Sequence, residues 1–179
     1  MLRAIGLVVP LALFSPAAAQ QPYAGMDTRT IKTLSEQQIA DLKAGRGMGL
    51  ALAAELNGYP GPIHTIELAG ELHLSPEQVA KLKALFEAMK AETIPLGSSL
   101  ISQERDLNND FANRTVTLAN LETTTQRIGA TQAALRAAHL KYHLSTVAIL
   151  TPEQVARYNE LRGYKAEEGA TQRHHQMHQ

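Results

Sequence analysis

The sequence predicts an all-α protein, built as an antiparallel helical hairpin of two long helices with short flanking helices. Three observations support this fold class. A pattern typical of helix starts occurs three times, two long stretches carry apolar residues at helical spacing, and aromatic residues make up only 4% of the chain. Because 44% of the residues are hydrophobic and few of those are aromatic, a core of Leu, Ala, Val and Ile favours packed helices over a sheet.

Residues 1–19 have the pattern of a secretory signal peptide. Arg3 gives a basic start, an apolar run follows over residues 4–14, and Ala17-Ala18-Ala19 ends the segment. Such an Ala-x-Ala triplet after a short apolar run marks a cleavage site. The segment is short and contains two prolines, which is unfavourable for a membrane span of about 20 residues. We therefore expect a periplasmic protein exported by a cleavable signal peptide, with an uncleaved anchor as the alternative.

The charge balance and the absence of cysteine narrow the function classes. The chain has 17 basic and 17 acidic residues, and cleavage after Ala19 would remove only Arg3 from this count. A nearly neutral chain does not favour nucleic acid as a partner, because such binding needs a basic excess on one face. With no cysteine, the chain can form neither a disulfide nor a thiolate metal site. The length suggests one folded domain after the signal peptide.

The N-terminal segment, residues 20–61, is expected to contain helix and a turn. Residues 39–56 predict one helix, or two short helices around the glycines at 45 and 47. The Gly-Tyr-Pro-Gly-Pro run at 58–62 predicts a rigid turn. A short helix over residues 62–71 should follow.

The helix-start pattern has apolar, hydroxyl and amide residues at fixed positions. It occurs at residues 34–39, 74–79 and 150–155. In each copy the hydroxyl residue is the predicted N-cap, and the glutamine three residues later completes a capping box. The residue before the cap and the one after the glutamine are apolar, as in a hydrophobic staple. The predicted cap and glutamine pairs are Ser35 with Gln38, Ser75 with Gln78, and Thr151 with Gln154.

The first long helix is predicted to begin at Pro76. Its apolar residues are spaced by three and four or by sums of these, as in a heptad pattern. Pro95 and Gly97 interrupt this pattern, so we expect a kink or break near Ile94.

The chain should then turn at residues 113–115, and a second long helix is predicted over residues 118–149. A third, short helix over residues 152–162 would close the hairpin, with Gly163 after its end. Residues 62–164 thus form the predicted hairpin domain. Residues 165–179 are polar and without periodicity, which predicts a disordered tail.

The motif copies at both ends of the predicted hairpin, behind a signal peptide, carry a resemblance to a known family. Leu150-Thr151-x-x-Gln154 and its variant Leu74-Ser75-x-x-Gln78 resemble the LTxxQ motif of the Spy/CpxP family. That family contains periplasmic refolding chaperones, heavy-metal sensors similar to CnrX and zinc-resistance proteins similar to ZraP. The resemblance covers about residues 62–164, and it implies a helical hairpin and a homodimer. Residues 26–58 do not align with the chaperone members.

His139 and His143 are the principal candidates for metal ligands. Their spacing of four places both rings on one face of a helix, and imidazole pairs suit zinc, nickel, cobalt or copper. The residue after His139 is Leu140, so the glutamate of a zinc protease motif is missing. A polar interruption of an apolar helix face is the alternative interpretation. The resemblance favours metal, because CnrX-like sensors bind nickel or cobalt through such helix pairs.

His64 and Glu67 can supply further ligands. They lie three residues apart on the predicted short helix and would share a face. If that helix packs across the open end of the hairpin, all four side chains could converge. Glu55, Met48, His73 and Glu104 are weaker candidates and are left out of the set. The tail offers a second, weaker set of donors: His174, His175, Met177 and His178.

Two functions follow as hypotheses, and neither is enzymatic. The sequence contains no nucleophile elbow and no phosphate-binding glycine loop, so we expect no catalytic activity. The first hypothesis is a transition-metal-binding protein for heavy-metal sensing or buffering. The alternative is an ATP-independent chaperone that offers an apolar and basic surface to unfolded clients. A membrane signalling partner is compatible with either.

Overall fold

The computed structural model describes residues 22–164, and its architecture is all-helical. The predicted signal peptide and the tail from residue 165, with its four candidate donors, lie outside the described residues. Within residues 22–164 there is no β-strand beyond an isolated bridge between Ile31 and Leu34. The helices are α1 (Glu36–Lys43), α2 (Leu52–Glu55), α3 (Pro62–Glu67), α4 (Pro76–Ala112), α5 (Leu118–Val147) and α6 (Pro152–Leu161), after a 3-10 turn at Met26–Thr28.

Helices α4 and α5 form the predicted hairpin, which is confirmed. They contain 37 and 30 residues and pack against each other more extensively than any other described pair. The turn between them covers residues 113–117, where Arg114 has a φ of 56°. α5 begins at Leu118, as predicted, and Thr117 caps it by accepting a hydrogen bond from the amide of Asn120. This cap was not predicted, because asparagine replaces the glutamine of the repeated pattern. No helix among the described residues is long and apolar enough to cross a membrane.

Of the kink or break predicted near Ile94, the break does not occur, because α4 continues through Pro95 to Ala112. Proline removes one backbone donor and costs helix stability, but α4 also packs against α1, α3 and α5, and this burial outweighs the loss. Gly97 has a different role from the one predicted. A Cβ atom at Gly97 would lie 2.5 Å from the carbonyl oxygen of Leu42. Glycine is therefore what allows the end of α1 to approach α4 closely.

The N-terminal segment packs onto the hairpin. Of the two possibilities for residues 39–56, two short helices form, and Gly45 between them has a φ of 67°. Ile31 and Leu42 are 1% and 2% exposed. They join the apolar core of α4 and α5, which includes Leu100, Ile101, Ile128 and Leu135. Part of the apolar face of the hairpin is thus covered by the chain's own residues.

All three predicted capping boxes form, and two of them meet. Ser35, Ser75 and Thr151 each accept a hydrogen bond from the amide of the glutamine three residues later. Gln78 and Gln154, from the starts of α4 and α6, are hydrogen-bonded to each other. This pair fixes α6 beside the open end of the hairpin. The ends of α3 and α5 differ from prediction by two to four residues. α3 ends at Glu67 rather than at residue 71, and α5 ends at Val147 rather than at residue 149. Gly163, which follows α6, has the expected positive φ of 68°.

Candidate functional site

A cavity of about 230 Å³ lies near the open end of the hairpin. Its walls come from residues 47–55, from α3 and the turn before it, from α4 and α5, and from residues 162 and 164 after α6. Five kinds of potentially coordinating group line it: imidazole, carboxylate, thioether, phenol and guanidinium. The guanidinium can bind only anions. The side chains concerned are Met48, Glu55, His64, Met89, His139, His143, Arg162 and Tyr164.

His139 presents a buried nitrogen without a partner. Its side chain is 3% exposed, and its Nε2 atom has no hydrogen-bond partner within the described part of the chain. Burial lowers the pKa of His139, and the nearby charge of His143 lowers it further, so the neutral ring is favoured. A Cβ atom at Gly47 would lie 3.5 Å from Nδ1 of His139. The ring therefore packs directly against the backbone of the loop after α1.

His143, one turn further along α5, has its tautomer fixed by the turn before α3. The Nδ1 atom lies 2.6 Å from the carbonyl oxygen of Tyr59. A carbonyl only accepts, so Nδ1–H donates, and in the neutral ring Nε2 carries the free lone pair. A Cβ atom at Gly61 would lie 2.9 Å from Cε1 of this ring, so the turn fits closely around it. This arrangement, with one nitrogen bound to a carbonyl and the other free, is typical of metal-binding histidines.

Glu55 is a buried carboxylate with several hydrogen-bond donors around it. It is 7% exposed although it belongs to α2, a helix of only four residues. Its Oε1 accepts hydrogen bonds from the hydroxyls of Tyr158 and Tyr164, the latter at 3.1 Å. Its Oε2 accepts from the amide of Gly61 at 3.2 Å and lies 3.5 Å from Nδ1 of His143. Glu55 thereby joins α2, the turn before α3 and α6.

The cationic and phenolic groups around Glu55 complete this cluster. The Nε atom of Arg162 lies 3.9 Å from Oε1, which places a positive charge beside the buried carboxylate. Burial raises the pKa of Tyr158, and the hydrogen bond to Glu55 raises it further. Tyr158 therefore stays protonated and acts as a donor. Both oxygens of Glu55 are engaged by the protein's own donors.

The structure brings together some of the predicted ligands but not the whole set. His64 and Glu67 share a face as predicted, and the two side chains contact each other, with 2.9 Å between Nδ1 and Oε2. His64 lines the same cavity as His139 and His143, whereas Glu67 does not. Among residues 22–164, no three His, Asp or Glu side chains are close enough to hold one ion. The four predicted ligands therefore do not converge on one point.

Three cavity residues were missed or given little weight in the sequence analysis: Met48, Glu55 and Met89. For Glu55 a signal existed, because it is the only charged residue in the apolar stretch 50–56, and a charge in such a stretch is buried only with partners. Met89 belongs to the apolar pattern of α4 and cannot be distinguished from a core residue by spacing. Met48 reaches the cavity through a loop with positive φ angles at Met48 and Gly49, a geometry that spacing does not predict.

The family comparison matches the part of the chain that forms the hairpin. A model of the LTXXQ motif family covers residues 62–162, more than half of the sequence. The chain belongs to the LTXXQ motif family, the Spy/CpxP family. The match begins at α3 and ends after α6, and it includes both copies of the motif, whose glutamines form the Gln78–Gln154 pair. No curated protein and no solved structure matches the chain. The LTXXQ region thus supplies His64, His139 and His143, and residues before it supply Met48 and Glu55.

Proposed function

We propose that this LTXXQ protein is exported to the periplasm and binds a transition metal ion in the cavity at His139 and His143, for sensing or buffering. The observation that carries the proposal is the Nε2 atom of His139, which has no hydrogen-bond partner among residues 22–164 and is buried within one helical turn of His143. An unsatisfied buried polar atom costs about 1–3 kcal/mol, and such atoms are uncommon in native structures. A bound ion would remove this cost.

Each ring has a distinct part in the proposal. His143 would coordinate through Nε2, because its Nδ1–H is held by the carbonyl oxygen of Tyr59, and such outer partners fix ring orientation. His139 would coordinate through the free Nε2. His64 is 41% exposed in its side chain and lines the same cavity, so it is a third imidazole available to the ion. Glu67 is its hydrogen-bonding partner rather than a ligand.

The chaperone function remains the second candidate, and exposed apolar side chains favour it. Phe111 and Leu118 at the tip of the hairpin are 55% and 72% exposed, and Leu144 near the end of α5 is 60% exposed. These residues are candidates for contact with unfolded clients. Against this function, Ile31 and Leu42 already cover part of the apolar face of the hairpin, which leaves less of it for a client.

The same exposed residues support a homodimer, which we include in the proposal. A thin hairpin has a large surface for its core, and a symmetric contact would bury Leu118 or Leu144. Sedimentation equilibrium at tens of micromolar, roughly the range in which weak dimers form, tests this part. A monomer throughout that range would contradict it.

Metal-dependent thermal stabilisation tests the main proposal. The mature chain is heated with and without Ni²⁺, Zn²⁺ or copper at about pH 7.5 and pH 5.5, because imidazole must be neutral to coordinate. A ligand at a hundred times its dissociation constant stabilises the folded state by about 2.7 kcal/mol. We expect this gain at the higher pH, a smaller gain at the lower pH, and no gain for His139→Ala/His143→Ala.

Two control variants make the result specific. His73→Ala removes an exposed imidazole that does not line the cavity, and it should keep the full gain. A chain with His174, His175 and His178 changed to Gln and Met177 to Leu should also keep it. If this tail variant loses the gain and the His139/His143 variant retains it, the tail binds the metal, and the chaperone function becomes the better proposal.

A further inference from the structure

The donors of the cavity differ from those that the histidine spacing alone would suggest. Glu55 is the only carboxylate among the described residues that line it, and its two oxygens are engaged by Tyr158, Tyr164 and the amide of Gly61. Using Oε1 of Glu55 as a ligand would compete with the Tyr158 hydroxyl, which is fully buried, and using Oε2 would compete with the Gly61 amide. A buried donor without an acceptor costs about 1–3 kcal/mol. The cavity therefore lacks a readily available hard, anionic ligand.

Two thioether sulfurs belong to the same cavity. Met89 projects from α4 and is 6% exposed, while Met48 lies in the loop after α1 and is 42% exposed. Met48 also lines a neighbouring groove of about 840 Å³, so its side chain stands between that groove and the cavity. Together with the imidazoles of His139 and His143, the cavity offers two soft sulfur donors and two nitrogen donors.

We infer that the ion bound in this cavity is copper(I), held by the sulfurs of Met48 and Met89 and the imidazoles of His139 and His143. The inference rests on the proposed function and specifies its ion and two further ligands. Thioether ligands favour Cu(I) over the harder divalent ions. The charge argument points the same way. The four ligand atoms carry no charge when they coordinate, and the charge of the nearby Glu55 already faces Arg162. A divalent ion would therefore bring two charges into a buried site, whereas Cu(I) brings one, and the cost of burying charge rises steeply with its magnitude.

The positions of the four donors also imply what binding would connect. Met48 belongs to the N-terminal segment, Met89 to α4, and the two histidines to α5. An ion held by all four would cross-link three parts of the chain that are distant in sequence. Met48, being the exposed donor of the four, would be the first that an entering ion meets.

Competition for copper(I) with a chromophoric chelator, under anaerobic conditions with ascorbate, tests the inference. The protein is the full mature chain with the four tail donors replaced, alone and combined with Met48→Leu, Met89→Leu or Met26→Leu. Leucine is close to methionine in volume, so the fold should tolerate these changes. We expect the Cu(I) affinity to fall by about tenfold or more for Met48→Leu and Met89→Leu, since even outer-shell losses cost roughly 10–100-fold. Met26→Leu, outside the cavity, should have no effect.

Measurements with divalent ions and X-ray absorption distinguish a failure of the thioether inference from a failure of the proposed metal function. Zn²⁺ and Ni²⁺ affinities should be weaker than that for Cu(I) and unchanged in both methionine variants, and copper–sulfur scattering should decrease in each of them. If Cu(I) binding and copper–sulfur scattering are unaltered in both variants, the thioether inference is wrong while the proposed metal function stands. If His139→Ala/His143→Ala binds every ion as well as the parent protein, the proposed function itself fails.

Discussion

The side-chain amides of Gln78 and Gln154 bond to each other in both directions. Gln78 Nε2 lies 2.8 Å from Gln154 Oε1, and Gln154 Nε2 lies 3.2 Å from Gln78 Oε1. Each oxygen also accepts from the backbone amide of its own cap, Ser75 or Thr151. Each nitrogen donates to a backbone carbonyl as well, that of Ile149 or Leu72. This explains why the motif ends in glutamine: only an amide can complete the capping box and donate across the pair.

Changing Gln154 to Glu should separate these two roles. The carboxylate keeps the acceptor of the capping box but has no N–H for Leu72 or Gln78, so one carbonyl loses its donor and faces a negative charge. We expect a loss of about 1–3 kcal/mol in the free energy of unfolding, measured by urea denaturation.

The matched control is Gln38→Glu in α1, whose capping box makes no contact with a second glutamine. It should change stability by less than about 0.5 kcal/mol. Equal effects of the two changes would show that the glutamine pair contributes nothing.

The cap of α6 gives a second prediction. Thr151→Ala removes the oxygen that accepts from the Gln154 amide at 3.2 Å, and should destabilise the protein by about 1 kcal/mol. Thr151→Ser retains the hydroxyl and should leave the melting temperature nearly unchanged. If alanine and serine give the same melting temperature, the hydroxyl of residue 151 does not stabilise α6.

Gly97 and Gly129 lie in the two long helices and should respond oppositely to alanine. A Cβ atom at Gly97 would meet the Leu42 carbonyl at 2.5 Å, whereas nothing lies within 4 Å of one at Gly129. Gly97→Ala must displace α1, and overpacking of this kind typically costs about 1–3 kcal/mol. Gly129→Ala should stabilise the protein by about 0.5–1 kcal/mol, because alanine is the better helix former. Denaturant midpoints that shift in the same direction would contradict the close approach of α1 to α4.

Glu55 and Glu67 provide a comparison of a buried and an exposed carboxylate. Glu55→Ala leaves the buried hydroxyl of Tyr158 without its acceptor and should cost about 3 kcal/mol or more. Glu67→Ala removes only a contact with His64 at a side chain that is 57% exposed, and should cost less than about 1 kcal/mol. Thermal unfolding of both variants without metal measures the difference. A small effect at Glu55 would mean that the cluster around it does not hold α2 to α6.

His139 should make the metal-free protein less stable in mild acid. Burial holds its pKa below the ordinary value of 6.5 in the folded state, so near and below that pH the unfolded chain binds more protons than the folded one. Stability then falls as pH decreases through about 6.5, by at most about 1.4 kcal/mol per pH unit for one group. The fall stops once the folded protein is protonated too. Urea midpoints between about pH 7.5 and pH 5 measure it. His139→Gln should have a flatter profile, and an equal slope would show that His139 is not the group responsible.

The sequence was sufficient for the hairpin and insufficient for the cavity, for a physical reason. Caps and heptad spacing are local, so the caps at Ser75 and Thr151 and the extent of α5 follow from neighbouring residues. The cavity depends on contacts between residues as far apart as Glu55 and Tyr164, which are 109 positions apart. Pro95 does not break α4, because α4 packs against α1, α3 and α5, and these contacts do not follow from neighbouring residues. The pairing of His64 with Glu67 followed from spacing, whereas their distance from His139 depended on how α3 packs.

The hydrogen bonds of the tyrosines have an optical consequence. The chain contains five tyrosines and no tryptophan, so its intrinsic fluorescence comes from tyrosine alone. Three of the five hydroxyls donate to carboxylates: Tyr142 to Glu92, and Tyr158 and Tyr164 to Glu55. A carboxylate acceptor quenches phenol emission, and the folded protein should therefore be dim. Any event that detaches Glu55 from α6 would appear as an increase in emission near the tyrosine maximum, without an added dye or label.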